Sequence, residues 1–576
     1  MILQALTQLF EDLAAQEKIA RPGWSPAKIS FALSLDENGQ LLQLIPTQAE
    51  QQVGKKTVLS PRVMQLPAAV KRTVGVLPNF LWDNSSYLLG ADAKGKPARS
   101  AQCFEAAKAL HHRLLEDVDT PAARAILAYF DSWQPETAQS HPALAENWEA
   151  VTKGGNLVFL VDGKFAQEDA EIRAAWQQSY EAPEGETAQC LVTGKPDIPE
   201  AVHPSIKGVA GAQSSGAALI SFNAPAFCSY GKEQSLNAPV GKTAAFAYTA
   251  ALNHLLADRE NVHRLGDTTV VCWAEGAEPG YDDFFNCLAY GDAQPEQITT
   301  DELRAIVRKL AEGLPCAELS LDLSRRFYIL GLAPNAARLS VRFFYSSSFG
   351  ELMRHVSAHH ERLTITGSRF PIMPLWALLR ETVNLNTTDK DPSHVMAGAV
   401  ARAVFTGAPY PASLLQAVML RIRAEREITP GRAAILKAYY LKNSSQLCPK
   451  EVLTVSLNEA STHVPYTLGR LFAVYEAVQE AANPGINATI KDKYFNAAAA
   501  TPAVIFPILD KLAQKHLRKL SVGQRVYYDR QIGALKCILG ERNPERLALP
   551  EQGSFYLGYY HQKESRYTKK EEKENG

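Results

Sequence analysis

Short apolar or alternating segments recur through the first two thirds of the chain, a pattern that predicts β-strands. The predicted strands are Lys28–Leu35, Leu41–Pro46, Asn156–Val161, Ala217–Asn223, Thr269–Ala274, Arg326–Leu332 and Leu339–Tyr345. The last two flank a short turn sequence, APNAA, so they are expected to pair as a hairpin.

Apolar residues with helical spacing predict helices between these strands and, beyond about residue 390, helices alone. The predicted helices cover the first residues, Ala101–Trp133, Thr243–Leu256, Thr300–Glu312, Ala412–Glu427, Gly431–Lys442, Pro465–Ala482, Thr501–Leu520 and Val522–Leu539. The predicted fold is α+β: a mixed N-terminal region with antiparallel strands, followed by a C-terminal helical bundle. We predict domains at 1–150, 151–390 (β-rich) and 391–576.

Length and composition are those of a folded protein with several domains. A chain of 576 residues is too long for one compact core, and its 46% hydrophobic and 21% charged residues are ordinary for globular proteins. We find no run of about eighteen apolar residues and no export signal at the start, so a cytoplasmic protein without membrane contact is expected.

The charges are distributed unevenly along the chain. From residue 401 onward there are 25 Lys and Arg against 16 Asp and Glu, a net charge of +9, whereas residues 1–400 carry −10. A basic C-terminal part suits contact with a polyanion, although a solvated face is the commoner explanation. The eight cysteines include no Cys-x-x-Cys pair, so neither a zinc site nor a disulfide framework is predicted.

Familiar catalytic motifs are absent from the sequence, and no catalytic residue, metal or cofactor is predicted. Ala238–Thr243 (APVGKT) ends like a phosphate-binding loop, but Leu236 stands where that motif needs glycine. His355, His359 and His360 have helical spacing without the glutamate of a zinc-protease helix, so a surface helix is favoured over a metal site.

The densest polar stretch, Gly208–Gly241, is the first candidate for nucleic-acid contact. Glycines allow the backbone to approach a groove, amides can contact base edges, and lysines can hold phosphates. The candidate DNA-binding residues here are Gln213, Ser214, Ser215, Gly216, Lys232, Gln234 and Asn237, with Lys242 a less certain contact. The alternative is that these residues only form tight turns.

Two further segments could meet DNA. In Lys71–Gly90, the candidates Lys71, Arg72 and Asn79 lie beside aromatic residues, although Phe80 and Trp82 are more typical of a core. Near the C-terminus, Lys511, Lys515, Arg518 and Lys519 fall three or four residues apart and can share one helix face as a phosphate track for an unwound strand.

Many segments, in order along almost the whole chain, resemble the type I-C CRISPR Cascade large-subunit family. They are the start MILQAL, Pro78–Gly90, His203–Asn223, Ala226–Val240, Arg325–Phe344, Arg421–Arg426, Leu453–Ala460, Tyr466–Gln479, Ile486–Phe495 and Gln552–Gln562. Gly241-Lys242-Thr243 departs from the pattern expected of that family.

The resemblance implies a subunit of a crRNA-guided surveillance complex without catalysis of its own. It would recognise the protospacer-adjacent motif (PAM) on double-stranded DNA, promote strand separation and R-loop formation, and recruit a helicase-nuclease. The implied partners are target DNA, the backbone subunits, the crRNA-handle subunit, the small subunit and, through them, the crRNA. The C-terminal bundle would correspond to the small subunit. Met396 and Met419 are candidate internal starts for it, and a start near Val452 or Leu453 is favoured. A structural scaffold and a metal-dependent nuclease remain the alternatives.

Overall fold

The computed structural model describes residues 1–16, 18–53, 56–70, 75–93, 96–181, 186–222, 224–292, 299–314, 320–384 and 391–574. The chain divides into two compact units: unit 1 is Met1–Pro204 with Ser221–Ala251, and unit 2 is Ser205–Ile220 with Leu252–Gly576. Each unit has a hydrophobic core of its own. The predicted domains at 1–150, 151–390 and 391–576 stay a prediction.

Unit 1 contains short strands in three small sheets. They are β1 (Trp24–Ile29), β2 (Phe31–Leu35), β3 (Leu41–Pro46), β4 (Gln48–Val53), β5 (Lys56–Pro67), β6 (Trp82–Asn84), β7 (Asn156–Val161), β8 (Lys164–Phe165), β9 (Ala188–Gln189) and β10 (Pro196–Asp197). One sheet has the order β1-β5-β4, a second β3-β2-β7-β6 with β8 beside β7, and β9 pairs with β10. All pairs are antiparallel except β2 with β7.

The helices of unit 1 are α1 (Ile2–Ala15), α2 (Ser85–Leu88), α3 (Pro97–Leu115), α4 (Pro121–Ser132), α5 (Trp148–Thr152) and α6 (Ala170–Glu181), and α7 (Lys242–Ala257) then leads into unit 2. Helices α2 to α6 contribute to the core around the second of these sheets, whereas Phe10 of α1 packs against Phe246 of α7. The stretch predicted as helical from Ala101 to Trp133 is two helices. Pro121 and the side chain of Thr120, which accepts a hydrogen bond from the N–H of Ala123, start a new helix there.

His111 of α3 lies in the core of unit 1, fully buried beside Phe80 and Phe130. Its Nδ1 donates to the carbonyl oxygen of Ala107 at 2.7 Å, so its Nε2 is free to accept the N–H of Leu81 at 2.9 Å. Leu81 has a positive φ of 66°. The imidazole therefore satisfies a buried backbone donor at a turn of unusual conformation.

Unit 2 begins with a four-stranded antiparallel sheet in the order β11 (His263–Leu265), β12 (Thr268–Ala274), β13 (Arg326–Asn335) and β14 (Arg338–Ser348). The predicted hairpin is confirmed: β13 and β14 pair from Arg326 with Ser348 to Asn335 with Arg338. Ala336 has a positive φ of 53° in the tight connection between them.

Most of the rest of unit 2 is helical, which confirms the predicted α+β class and the C-terminal helices. The helices are α8 (Tyr281–Tyr290), α9 (Thr300–Glu312), α10 (Phe349–Leu363), α11 (Leu375–Arg380), α12 (His394–Thr406), α13 (Ala412–Glu425), α14 (Pro430–Asn443), α15 (Val464–Ala482), α16 (Ile490–Ala500), α17 (Pro502–Leu517), α18 (Val522–Leu539) and α19 (Leu549–Glu574). The N-cap of α9 is Thr299, which forms a capping box with Glu302.

Helices α15 and α19 approach each other closely because both carry glycine at the contact. A β-carbon on Gly469 would collide with the carbonyl oxygen of Phe555, and one on Gly558 would collide with that of Tyr466. Helix α15 is buried along most of its length by α19 together with α16, α17 and α18. Only glycine permits this backbone-to-backbone spacing.

Two strand predictions are corrected by the structure. Ala217–Asn223 is not a strand: Ala217 bridges to Ile206, Ala218 bridges to Arg338, and Ser221 onward belongs to the other unit, while Asn223 lies outside the described residues. Lys28–Leu35 is divided at Ser30 between β1 and β2, which belong to different sheets. Among the helices that the structure describes, none is both long and apolar enough to span a membrane.

Candidate nucleic-acid interface

In unit 2, residues 206–217 form a closed loop that ends in an exposed polar turn. Ile206 and Ala217 exchange backbone hydrogen bonds of 2.9 Å at its base. Thr269 Oγ1 accepts the N–H of Ala210 at 3.0 Å, and Asn253 Oδ1 accepts the N–H of Lys207 at 2.8 Å. The loop is thus fixed to the sheet and to α7 by hydrogen bonds to its backbone.

The tip of this loop is a turn in which the N–H of Gly216 donates to the carbonyl oxygen of Gln213 at 2.9 Å. Gln213, Ser214 and Ser215 are exposed, and none of the three side chains has a hydrogen-bond partner in the described part of the chain. Gly216 is buried at a φ of 98°, where a β-carbon would lie 2.8 Å from the β-carbon of Ser205. Gly216 therefore shapes the turn, and the other three residues are available for contact.

In unit 1, the second loop of the polar stretch is held together by Asn237. Its Oδ1 accepts the N–H of Ser229 at 2.8 Å, and its Nδ2 donates to the carbonyl oxygens of Lys232 at 3.1 Å and Gln234 at 2.9 Å. These three bonds occupy the carboxamide, so Asn237 supports the loop. The side chains of Lys232 and Gln234 are exposed.

Tyr230, at the tip of the same loop, is a residue that the sequence reasoning missed. It is 98% exposed and has a positive φ of 54°, with Gly231 following it at 69°. A bulky residue in this conformation costs roughly 1–3 kcal/mol, which the surrounding structure must offset. The only sequence signal was Tyr-Gly inside a turn-rich stretch, which does not show whether the ring lies inside or outside.

The sequence APVGKT does not form an open phosphate site. Asp197 lies against Gly241, and its Oδ2 accepts the N–H of Thr243 at 3.1 Å at the start of α7. A carboxylate of the chain itself thus takes the place where a phosphate would be bound. Lys242 is exposed beside it.

Only part of the third candidate segment lies within the described residues. Lys71 and Arg72 lie outside the described residues. Asn79 is 4% exposed: its Oδ1 accepts the N–H of Val70, and its own N–H donates to Asp83, both at 2.9 Å. Phe80 and Trp82 are buried, as the core interpretation predicted.

The basic residues near the C-terminus lie on and just after α17. Lys511, Lys515, Arg518 and Lys519 are all exposed, and their spacing places them along one side of the helix. Lys519 donates to Asn483 Oδ1 at 3.1 Å. The neighbouring Asp510 faces elsewhere, toward Lys536 at 2.8 Å, and so does not neutralise the row.

The three histidines of α10 are not on a surface helix, which corrects that expectation. His359 and His360 are buried, with His359 Nδ1 bonded to Tyr410 Oη at 2.5 Å and His360 Nε2 to the carbonyl oxygen of Leu288 at 2.9 Å. Burial lowers the pKa of His360 to about 4. No cluster of three or more metal-ligating side chains is found among the residues that the structure describes.

Comparison with known proteins agrees with the resemblance noted above. A family model described as CRISPR-associated protein (Cas_Csd1) matches residues 6–567. No curated protein matches the chain.

Proposed function

The chain belongs to the Cas_Csd1 family of CRISPR-associated proteins, that of the type I-C Cascade large subunit, and we propose that it recognises the PAM on double-stranded DNA. In this proposal it also promotes strand separation and R-loop formation and recruits the helicase-nuclease. Its other partners are the backbone subunits, the crRNA-handle subunit and the small subunit. Guide pairing reads the sequence, while the protein reads the PAM and the backbone geometry.

The observation that carries the proposal is the turn Gln213–Gly216. Its amide and two hydroxyl groups are exposed and without partners among the described residues, while the backbone beneath them is fixed by four hydrogen bonds. Because the backbone is already ordered, these side chains can contact base edges at the cost of immobilising the side chains alone.

In the loop of unit 1, the proposed roles differ from residue to residue. Lys232 contacts phosphate and Gln234 contacts the duplex, whereas Asn237 holds the loop and Tyr230 inserts beside a base pair to open the stack. Asn79 has a supporting role as well, because its buried side chain holds the backbone next to Lys71.

We further propose that Lys511, Lys515, Arg518 and Lys519 follow the phosphates of the unwound strand, and that the chain has no hydrolytic activity. The buried histidines of α10 and the carboxylate at the start of α7 support the second point, because both remove candidate sites of chemistry. Cleavage would then depend on the recruited helicase-nuclease.

The test is a double variant, Gln213→Ala with Ser214→Ala, in the assembled complex. Binding should fall about tenfold or more for a PAM duplex, since each lost base contact is worth roughly 1–3 kcal/mol. Binding to a complementary single strand should stay unchanged. Gln416→Ala, another exposed glutamine of unit 2, is the matched control. Equal losses on both substrates would remove the support for PAM reading.

A further inference from the structure

A cavity of about 540 Å³ lies in unit 2 between the segment 367–374, α11 and the start of α14. Its volume falls within the range of about 300–1,000 Å³ typical of ligand sites. None of the candidate residues considered above lines it. Its walls combine two aromatic rings with arginines, and its chemistry is therefore distinct from the polar loops.

The aromatic part of the cavity is formed by Trp376 and Phe370. Trp376 is 44% exposed, and its ring meets that of Phe370 at 89° with the centroids 5.9 Å apart. The indole N–H already donates to the carbonyl oxygen of Tyr290 at 3.1 Å. The surface that Trp376 exposes to the cavity is therefore apolar, and a planar ring of a ligand can stack on it.

Two arginines at the cavity have no ion-pair partner in the described part of the chain. The Arg369 guanidinium lies 4.7 Å from the centroid of the Phe370 ring, and Arg380 is exposed at the end of α11. Glu427 contributes one exposed carboxylate, so this rim keeps a net positive charge. Guanidinium groups on aromatic rings match phosphate beside a stacked base.

The third arginine of the cavity, Arg432, is committed to the protein. It is 4% exposed, its Nη1 donates to the carbonyl oxygen of Glu427 at 3.0 Å, and it pairs with Glu381 and Glu425. Thr429 Oγ1 donates to Glu381 at 2.6 Å. Glu425 also pairs with Arg421, so two arginines balance these two acids, and the rim keeps the charges of Arg369 and Arg380 against that of Glu427.

We propose that this cavity binds one base of a single-stranded nucleic acid, stacked on Trp376, with the adjacent phosphates held by Arg369 and Arg380. The proposal extends the proposed role in DNA recognition, because strand separation is what would deliver an unpaired base. The carboxylates of an acidic peptide could pair with the two arginines, but they would leave the exposed indole face of Trp376 without a stacking partner. Base stacking on aromatic side chains tolerates any sequence, which suits a target that varies.

The experiment measures binding of the full-length chain to fluorescent oligothymidylate and oligouridylate of about ten nucleotides, a length within the usual range of single-strand sites. Trp376→Ala should weaken binding about tenfold, because stacking on one base is lost. Arg380→Ala should also weaken binding, because it removes a phosphate contact. Trp376→Phe should restore most of the affinity. Tyr567→Ala, at another exposed aromatic residue, and Arg304→Ala, at an exposed arginine, are the controls.

An oligonucleotide with an abasic site at each position separates stacking from charge. It should bind the parent chain about as weakly as the unmodified oligonucleotide binds Trp376→Ala. Comparison of the DNA probe with the RNA probe shows which of the two nucleic acids the cavity binds. Tight binding of either one supports the proposal. The proposal would be overturned if both alanine variants bound the oligonucleotide like the parent. It would also be overturned if the variants lost assembly with the backbone subunits while they kept oligonucleotide binding.

The two proposals can fail separately. If the parent complex does not distinguish PAM from scrambled duplex, the proposed function fails. If that discrimination holds and the cavity variants bind oligonucleotide like the parent, only the cavity inference fails.

Discussion

Asn237 holds Ser229 in place: its Oδ1 accepts the Ser229 N–H at 2.8 Å and closes the loop that carries Tyr230 and Lys232. Asn237→Ala removes this hydrogen bond and the two that Nδ2 donates, and each hydrogen bond contributes about 1 kcal/mol to stability. We expect faster hydrogen exchange at the Ser229 amide and about tenfold weaker binding of PAM duplex. Asn237→Asp keeps the acceptor oxygen but loses the donors, so its exchange rate and its affinity for PAM duplex should lie between those of Asn237→Ala and the parent. Unchanged exchange at Ser229 would contradict the supporting role.

Tyr230 should act on duplex opening more than on binding. Because its ring is almost fully exposed, Tyr230→Ala should leave the fold intact and lower the 2-aminopurine signal for opening beside the PAM several-fold. A duplex already open at that position should bind as in the parent. Tyr230→Phe keeps the ring and should open DNA normally; failure of this variant would show that the hydroxyl is what matters.

The basic side of α17 should set the salt dependence of R-loop stability. Replacing Lys511, Lys515, Arg518 and Lys519 with alanine removes four phosphate contacts, so the slope of log affinity against log salt should fall by about 3. PAM discrimination should not change. The control is Arg304→Ala with Arg308→Ala on α9, both exposed in the same unit. A parent-like slope in the fourfold variant would exclude a phosphate track here.

Gly558 should be intolerant of even one methyl group. Gly558→Ala places a β-carbon against the carbonyl oxygen of Tyr466 and should lower the free energy of unfolding of unit 2 by about 3 kcal/mol or more, measured by chemical denaturation. Gly533→Ala on α18 meets nothing within 4 Å and should be neutral or stabilising by up to about 1 kcal/mol. Similar effects of both substitutions would mean that the helices can separate freely.

His111 should make unit 1 sensitive to acid. Burial lowers its pKa to about 4, whereas an unfolded histidine titrates near 6.5, so between these values only the unfolded chain takes up the proton. The stability that this group contributes is complete above about pH 6.5 and is lost as the pH falls toward 4, by about 3 kcal/mol in all. His111→Gln should flatten the pH dependence of the free energy of unfolding. An equally steep dependence would refute the assignment to His111.

The sequence predicted those elements whose pattern is satisfied locally. The hairpin of β13 and β14 and the helix Thr300–Glu312 are examples, because turn, cap and periodicity lie within one segment. Ala217–Asn223 has the residues of a strand, but Ala217 and Ala218 each pair with a different segment, so no ladder forms. A strand depends on its partners, and those are set by tertiary structure.

The candidate site was predictable at the level of segments rather than side chains. Gln213 and Lys232 are exposed, as contact with DNA requires. Asn79 and Asn237 are equally polar, but their side chains accept hydrogen bonds from backbone N–H groups. An amide in a polar loop can either support it or project from it, and composition does not distinguish the two. Tyr230 and Trp376 were missed for the converse reason, since aromatic residues are usually buried.

The carboxylate of Asp197 at the start of α7 gives the chain a built-in counter-anion. The carboxylate already occupies that position and accepts a hydrogen bond from the N–H of Thr243. A free nucleotide or inorganic phosphate could bind there only by displacing this carboxylate, which is tethered to the chain. A tethered group has a very high effective concentration. Small anions therefore do not compete at this helix end.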